Sequence, residues 1–194
     1  MIGFSKIYAS FSSVISFTEE EIKGFLPLLS VKNFKKKDIM LQQNNVADSV
    51  FFINSGLTRN FITNSKGEEI TTHFTIEGDY VTEYASFLTL RRSTCSVQAL
   101  EDVEAVVLNR DALQYGYEKV KDGNKLGRII AETYFMMAVD KLEEMYSGDI
   151  LERFDKLNET FPGIHQRVPQ HMIASYLGIT PVHLSRLKSA QVQK

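Results

Sequence analysis

Residues 31 to 108 run through short stretches of β-branched and aromatic side chains, each closed by a cluster of turn residues. This punctuation constrains the fold more than any other feature. Residues 38–42, 49–54, 57–63 and 70–76 read as strands, with Asn54-Ser55-Gly56, Asn64-Ser65-Lys66-Gly67 and Glu77-Gly78-Asp79 as turns. Two further runs, 95–100 and 103–108, complete the set. Short strands at near-regular spacing indicate a barrel, roll or sandwich rather than a βαβ fold.

The flanks have helical periodicity. Phe17-Thr18-Glu19-Glu20-Glu21-Ile22 is a helix start: Thr18 can cap, Glu21 completes a capping box, and Phe17 and Ile22 can form a hydrophobic staple. The predicted helix runs to about residue 28. From Ala112 onward the chain is helical again, and residues 126–146 carry no proline, and no glycine after Gly127. Ala131, Phe135, Ala138, Leu142 and Met145 recur at alternating spacings of four and three, while Leu126, Ile130, Tyr134 and Met137 form a stripe on a neighbouring face. One stripe is enough to dock on the β region, and the second leaves a face for a partner helix from another copy of the chain. The competing reading buries both stripes within one chain. Ser147-Gly148 breaks the helix, and residues 149–160 form a short amphipathic one with Ile150, Leu151, Phe154 and Leu157 inward.

Residues 168–188 carry the sharpest signal. Pro169 suits a helix start, Ile173 and Leu177 form an i, i+4 apolar pair, and Gly178 supplies the left-handed residue that ends a helix. Thr180 then caps a second helix with Pro181 at its first position, and Leu184 and Leu187 face inward. Ala174 is small enough to let two helices cross closely. Two short helices joined by a tight glycine turn make a helix-turn-helix. An ordinary helical hairpin is the alternative.

Charge distribution favours the first of these. The net charge is −2, but residues 163–194 contain no Asp or Glu and carry +4 from Arg167, Arg186, Lys188 and Lys194, leaving −6 on the rest. A basic end on an acidic body fits contact with phosphate at that end alone. The single cysteine, Cys95, excludes an internal disulfide and a cysteine-ligated zinc or iron–sulfur site within one chain. It reads as a small core residue and fits a reducing compartment; a redox role would need exposure and a lowered pKa. The serine-interrupted stretch 9–17 is too short and polar to span a membrane, so a cytoplasmic protein is expected. His73 stands alone in a strand, and His165, His171 and His183 lack ligand spacing, so no metal site is expected. No nucleophile–base pair or glycine-rich phosphate loop is present, and the chain is not read as an enzyme.

Val50-Phe-Phe-Ile-Asn-Ser-Gly-Leu-Thr-Arg59, Glu68-Glu69, Ser86-Phe87-Leu88, Gln98-Ala-Leu-Glu-Asp102 and Ile173-Ala-Ser-Tyr-Leu-Gly-Ile-Thr180 together resemble the cyclic-AMP receptor / fumarate-nitrate regulator (Crp/Fnr) family of bacterial transcription factors, over almost the whole chain. The resemblance implies an α+β protein with an N-terminal double-stranded β-roll, a jelly roll like that of cyclic-nucleotide-binding domains, in residues 1–115. It further implies a long dimerisation helix in 116–147 and an all-α helix-turn-helix domain in 148–194. The expected function is a homodimeric, sequence-specific transcription regulator whose roll senses a signal and repositions the recognition helices. Double-stranded DNA and a second copy are the implied partners, with RNA polymerase a candidate and no membrane. In this frame Thr180, Val182, His183, Ser185, Arg186 and Lys188 belong to the recognition helix, Arg186 being suited to pair bidentately with guanine. Gln170 and His171 are candidates for phosphate contacts.

Two departures matter. Pro181-Val182 stands where well-known members carry an Arg-Glu pair, so their target sequence does not carry over. The sequence ends at Lys194, which leaves no room for the family's β-wing and leads to an expectation of weaker phosphate grip. For a cyclic nucleotide cofactor, Glu83 fits the ribose position and Arg92 and Ser93 the phosphate position, although Thr82 replaces the family's glycine and no proline precedes the arginine. The alternative is that Glu83 pairs internally with Arg91 or Arg92. A different class of function remains alongside: a ligand-binding or protein-interaction module whose helix-turn-helix no longer grips DNA. A roll-based metalloenzyme stands third.

Overall fold

The computed structural model describes residues 2–147 and 149–192, except the side chains of residues 2, 145, 147, 191 and 192. A 3-10 turn (Ile2–Phe4) leads into α1 (Ser5–Ser12) and α2 (Glu19–Phe25), and a second one (Leu26–Leu28) feeds the first strand. The strands are β1 (Leu29–Phe34), β2 (Ile39–Leu41), β3 (Ser49–Ser55), β4 (Thr58–Thr63), β5 (Glu69–Thr75) and β6 (Tyr80–Val81). A short helix α3 (Tyr84–Thr89) precedes β7 (Ser96–Ala99) and β8 (Val103–Asn109). The chain finishes with α4 (Arg110–Lys119), α5 (Gly123–Ser147), α6 (Ile150–Thr160), α7 (Ile164–Arg167), α8 (Gln170–Leu177) and α9 (Pro181–Val192).

The strands form two antiparallel sheets, ordered β1-β8-β3-β6 and β2-β7-β4-β5. Ile53, Val81, Val97, Ala99, Val103 and Ala105 fill the space between them. The strands read from the sequence all form; β1 and β6 were not among them, β6 because two residues carry no periodicity. Gly56, at φ +94°, makes the turn from β3 to β4; a Cβ there would lie 2.5 Å from the Asp102 carbonyl oxygen. The capping box at α2 is complete: Glu21 N–H donates to Thr18 Oγ1 at 3.2 Å, and Thr18 N–H to Glu21 Oε2 at 2.7 Å.

Helices α1 and α3 also lie outside the sequence reading. Helix α1 has no side-chain cap, and it is held by burying Ile7 and Phe11 against Val50 and Phe52 of the roll. Helix α3 occupies the stretch read as a loop between strands. The boundary expected at 115/116 falls inside α4, and the long helix starts at Gly123.

The helical end packs on the roll. Phe154, Phe161, Ile164, Ile173, Leu177 and Leu184 share one core with Leu57, Phe74 and Leu100. The Thr71 N–H of β5 donates to Ser175 Oγ of α8 at 3.0 Å. Arg167, at the end of α7, donates to Glu77 Oε1 and Glu101 Oε2, both at 2.7 Å. Among the described residues, no helix is long and apolar enough to cross a membrane.

Candidate nucleic-acid interface and sensor site

Helices α8 and α9 meet at Gly178, whose φ of +69° closes α8; Ile179 N–H returns to the Ala174 carbonyl at 2.9 Å. This six-to-one bond is the Schellman arrangement that glycine favours. Thr180 then caps α9, accepting from His183 N–H at 3.2 Å. Ile173, Ala174, Leu177 and Leu184 are all essentially inaccessible, and Leu187 joins them on the inner face of α9. The opposite face of α9 presents Val182, His183, Ser185 and Arg186 to solvent, with Thr180 exposed before its first turn. Gln170 and His171 are exposed at the start of α8.

Not all of the terminal basic charge faces outward. Arg167 is held by Glu101 and Glu77 of the roll, whose hydrogen bonds and then charges raise its already high pKa further. Lys188 is half-buried and close enough to His165 to help burial lower that imidazole's pKa. Lys194 lies outside the described residues. Of the cations read as a phosphate footprint, Arg186 is the exposed one among the described residues.

Helix α5 turns most of one stripe towards the molecule and most of the other to its surroundings, Met137 of the inward stripe being exposed. Leu126 and Ile130 pack against the roll, and Tyr134 Oη donates to the Tyr80 carbonyl. Phe135 is 66% and Leu142 53% exposed; Ala138 is also exposed, and Ala131 is half-buried. The Met145 side chain lies outside the described residues. Lys141, one turn beyond Met137 on the same face, reaches across to α8, where its Nζ sits 3.4 Å from the centroid of the Tyr176 ring.

Glu83, Arg92 and Ser93 each have a partner within the chain. Glu83 caps α3 by accepting from Ser86 N–H at 2.8 Å and lies 3.9 Å from Arg91, the internal pair that the sequence left open. Arg92 is exposed and donates to the Asn44 carbonyl at 3.0 Å. Ser93 is buried and donates to the Cys95 carbonyl at 2.6 Å. A nucleotide at this set would have to displace those contacts. Buried Ser86, which the sequence marked only as part of a family-like motif, organises the loop by accepting from Ala47 N–H at 2.9 Å and donating to the Arg91 carbonyl at 2.5 Å. Cys95 is buried; burial, and then the Glu83 carboxylate, raise its thiol pKa, the opposite of a redox-sensing thiolate. No group of three or more His, Cys, Asp or Glu residues among the described residues could hold a metal ion.

Residues 31–119 match the model of the family described as cyclic nucleotide-binding domain. FixK2 from Bradyrhizobium japonicum superposes with a TM-score of 0.73 at 15% identity, over 85% of this chain and 85% of that one. A Eubacterium rectale protein assigned to the Crp/Fnr family of transcriptional regulators gives a TM-score of 0.68 at 17% identity, over 91% and 84% of the two chains. The fold is that of the Crp/Fnr regulators. The catabolite activator protein of Thermus thermophilus, at a TM-score of 0.56 and 17% identity over 91% and 84%, has the same arrangement. No curated protein sequence matches the chain. The Crp/Fnr fold accounts for the roll, the long helix and the terminal helix-turn-helix together. The low identities extend the likeness no further than architecture.

Proposed function

We propose that the chain is a sequence-specific DNA-binding transcription regulator acting as a homodimer. The observation that carries this is α9. It is held rigidly by Leu184 and Leu187 and capped by Thr180, and it turns an acid-free face with Val182, His183, Ser185 and Arg186 to solvent. A rigid, exposed second helix of this kind is what enters a major groove. Thr180 and Lys188 flank the base-reading set, while Gln170 and His171 meet the backbone. The outer stripe of α5, from half-buried Ala131 through exposed Phe135 and Ala138 to Leu142, supplies the dimer contact, which sets the spacing of two α9 helices. Catalysis plays no part in this reading.

The test is selection of binding sites from a random duplex library, followed by fluorescence anisotropy on the enriched sequence. A palindromic site bound with strong salt dependence is expected. Replacing the guanine-pairing candidate, Arg186→Ala, should weaken binding by about 1–3 kcal/mol and relax sequence preference at one position per half-site. Failure to enrich any sequence, with no salt-dependent binding, would favour the module whose helix-turn-helix has lost its grip on DNA.

A further inference from the structure

A cavity of about 140 Å³ lies between the outer surface of the roll and helices α1, α2, α4 and α5. Its walls include Phe11, Phe25, Tyr80, Tyr84, Leu126 and Ile130, and none of its lining residues bears a charge. Glu83, Arg92 and Ser93 are not among them. Three of the hydroxyls at its edge, those of Thr82, Tyr134 and Tyr80, are already engaged within the chain. Thr82 Oγ1 donates to the Ser49 carbonyl at 2.9 Å, Tyr134 Oη donates to the Tyr80 carbonyl, and the Tyr80 hydroxyl lies 3.2 Å from Ser10 Oγ. Burial pushes the Tyr80 phenol up to about 12, as expected where the surroundings are poorly polar. A phosphate would enter without a cation to meet it, at a prohibitive desolvation cost. An apolar pocket of this size, by contrast, accepts a guest about as large as benzene. The aromatic walls favour a planar guest: Tyr84 and Tyr134 stack with ring centroids 6.3 Å apart, and Phe11 and Tyr80 at 6.4 Å.

We propose that this cavity binds a small, neutral, mainly aromatic molecule, recognised by shape and ring contact, and that such a molecule is the signal the roll senses. This deepens the regulatory reading above and rests on it only for the word signal. Leu126, Ile130 and Tyr134 of α5 form one wall and the roll the other, so a guest sets the separation of the two. The same helix carries Lys141, which touches Tyr176 of α8, so a shift of α5 reaches the helix-turn-helix directly.

Indole is a suitable probe because the chain has no tryptophan, so its emission can be excited beyond tyrosine absorption without background. Titration of the full chain should give saturable, blue-shifted emission. Gly116 offers a variant that fills the cavity without disturbing the fold. It lines the space on α4, and a Cβ there would meet only Phe25 Cε2, at an ordinary 3.6 Å. Gly116→Leu should weaken indole binding roughly tenfold or more. Its thermal midpoint should equal or exceed that of the parent, since leucine also favours the helix. Gly116→Ala should bind almost as the parent does. Equal binding to the parent and Gly116→Leu, or no binding to the parent, would overturn the proposal. Absent binding together with loss of self-association in Gly116→Leu would overturn it too, and would identify a second copy as the occupant. The readout involves no DNA, so it fails or succeeds separately from the DNA-binding reading.

Discussion

At the seam between β5 and the helical end, burial and then the Lys141 charge lower the His73 imidazole from 6.5 to about 4, beside Phe161 at a ring separation of 6.1 Å. The unfolded chain therefore binds the extra proton first. Stability supplied by the neutral imidazole is present above about 6.5 and is lost as the pH falls towards 4. Thermal midpoints of the parent should decline across this interval, and those of His73→Gln should decline less. The residual slope should come from His165, whose pKa burial also lowers. Identical slopes would mean that His73 does not report on the seam. Residue type alone marked His73 as a structural histidine, and the enclosure fits that. What it packs against was not legible, because Phe161 and Lys141 approach it through tertiary contact and leave no local pattern. The same holds for Ser86: nothing in its neighbours predicts that its hydroxyl ties the Ala47 N–H to the Arg91 carbonyl.

Elements with strong periodicity or punctuation could be read from the chain, and those made by packing could not. The heptad-like spacing of α5 distinguished two faces, and the structure sends Leu126 and Ile130 inward while leaving Phe135 and Leu142 exposed. Turn chemistry at Gly178 and Thr180 located the end of α8 and the start of α9 to within a residue, while α9 runs on to Val192, four residues past the expected end. Helix α1, with no cap and a serine-rich composition, forms because the roll offers a surface for Ile7 and Phe11. The cavity escaped notice for a related reason. Its lining is scattered from Phe11 to Tyr134, and side chains that border a void look in sequence like any others in a core. If α5 is the dimer contact, a carboxylate at Phe135, which stands two-thirds exposed on the outer stripe, must be desolvated in the pair. Phe135→Glu should then weaken self-association by about 3 kcal/mol or more, read by sedimentation equilibrium, with the monomer fold retained in the circular dichroism spectrum. An unchanged association constant would remove α5 from the interface.

For the molecule as a whole, the decisive arrangement is the single core that joins the roll to the helix-turn-helix, with Arg167 fastened between Glu77 and Glu101. The sequence placed Arg167 among the charges available to phosphate; the fold commits it to the roll. Glu77 closes the turn before β6 and Glu101 lies in the turn between β7 and β8, so one guanidinium bridges two turns of the roll. All three side chains remain in partial contact with water, so dissolved ions reach them. Ionic strength consequently acts on this protein through two opposed channels. Added salt weakens attraction between the basic end and the DNA backbone, and it also loosens the fastening that holds that end against the roll. The logarithmic fall of DNA affinity with salt should therefore be shallower in the parent than in Arg167→Met, where only the first channel operates. Parallel lines for the two proteins would show that the fastening takes no part in binding. The small clamp thus makes the apparent number of released counterions a measure of how far the helical end has parted from the roll.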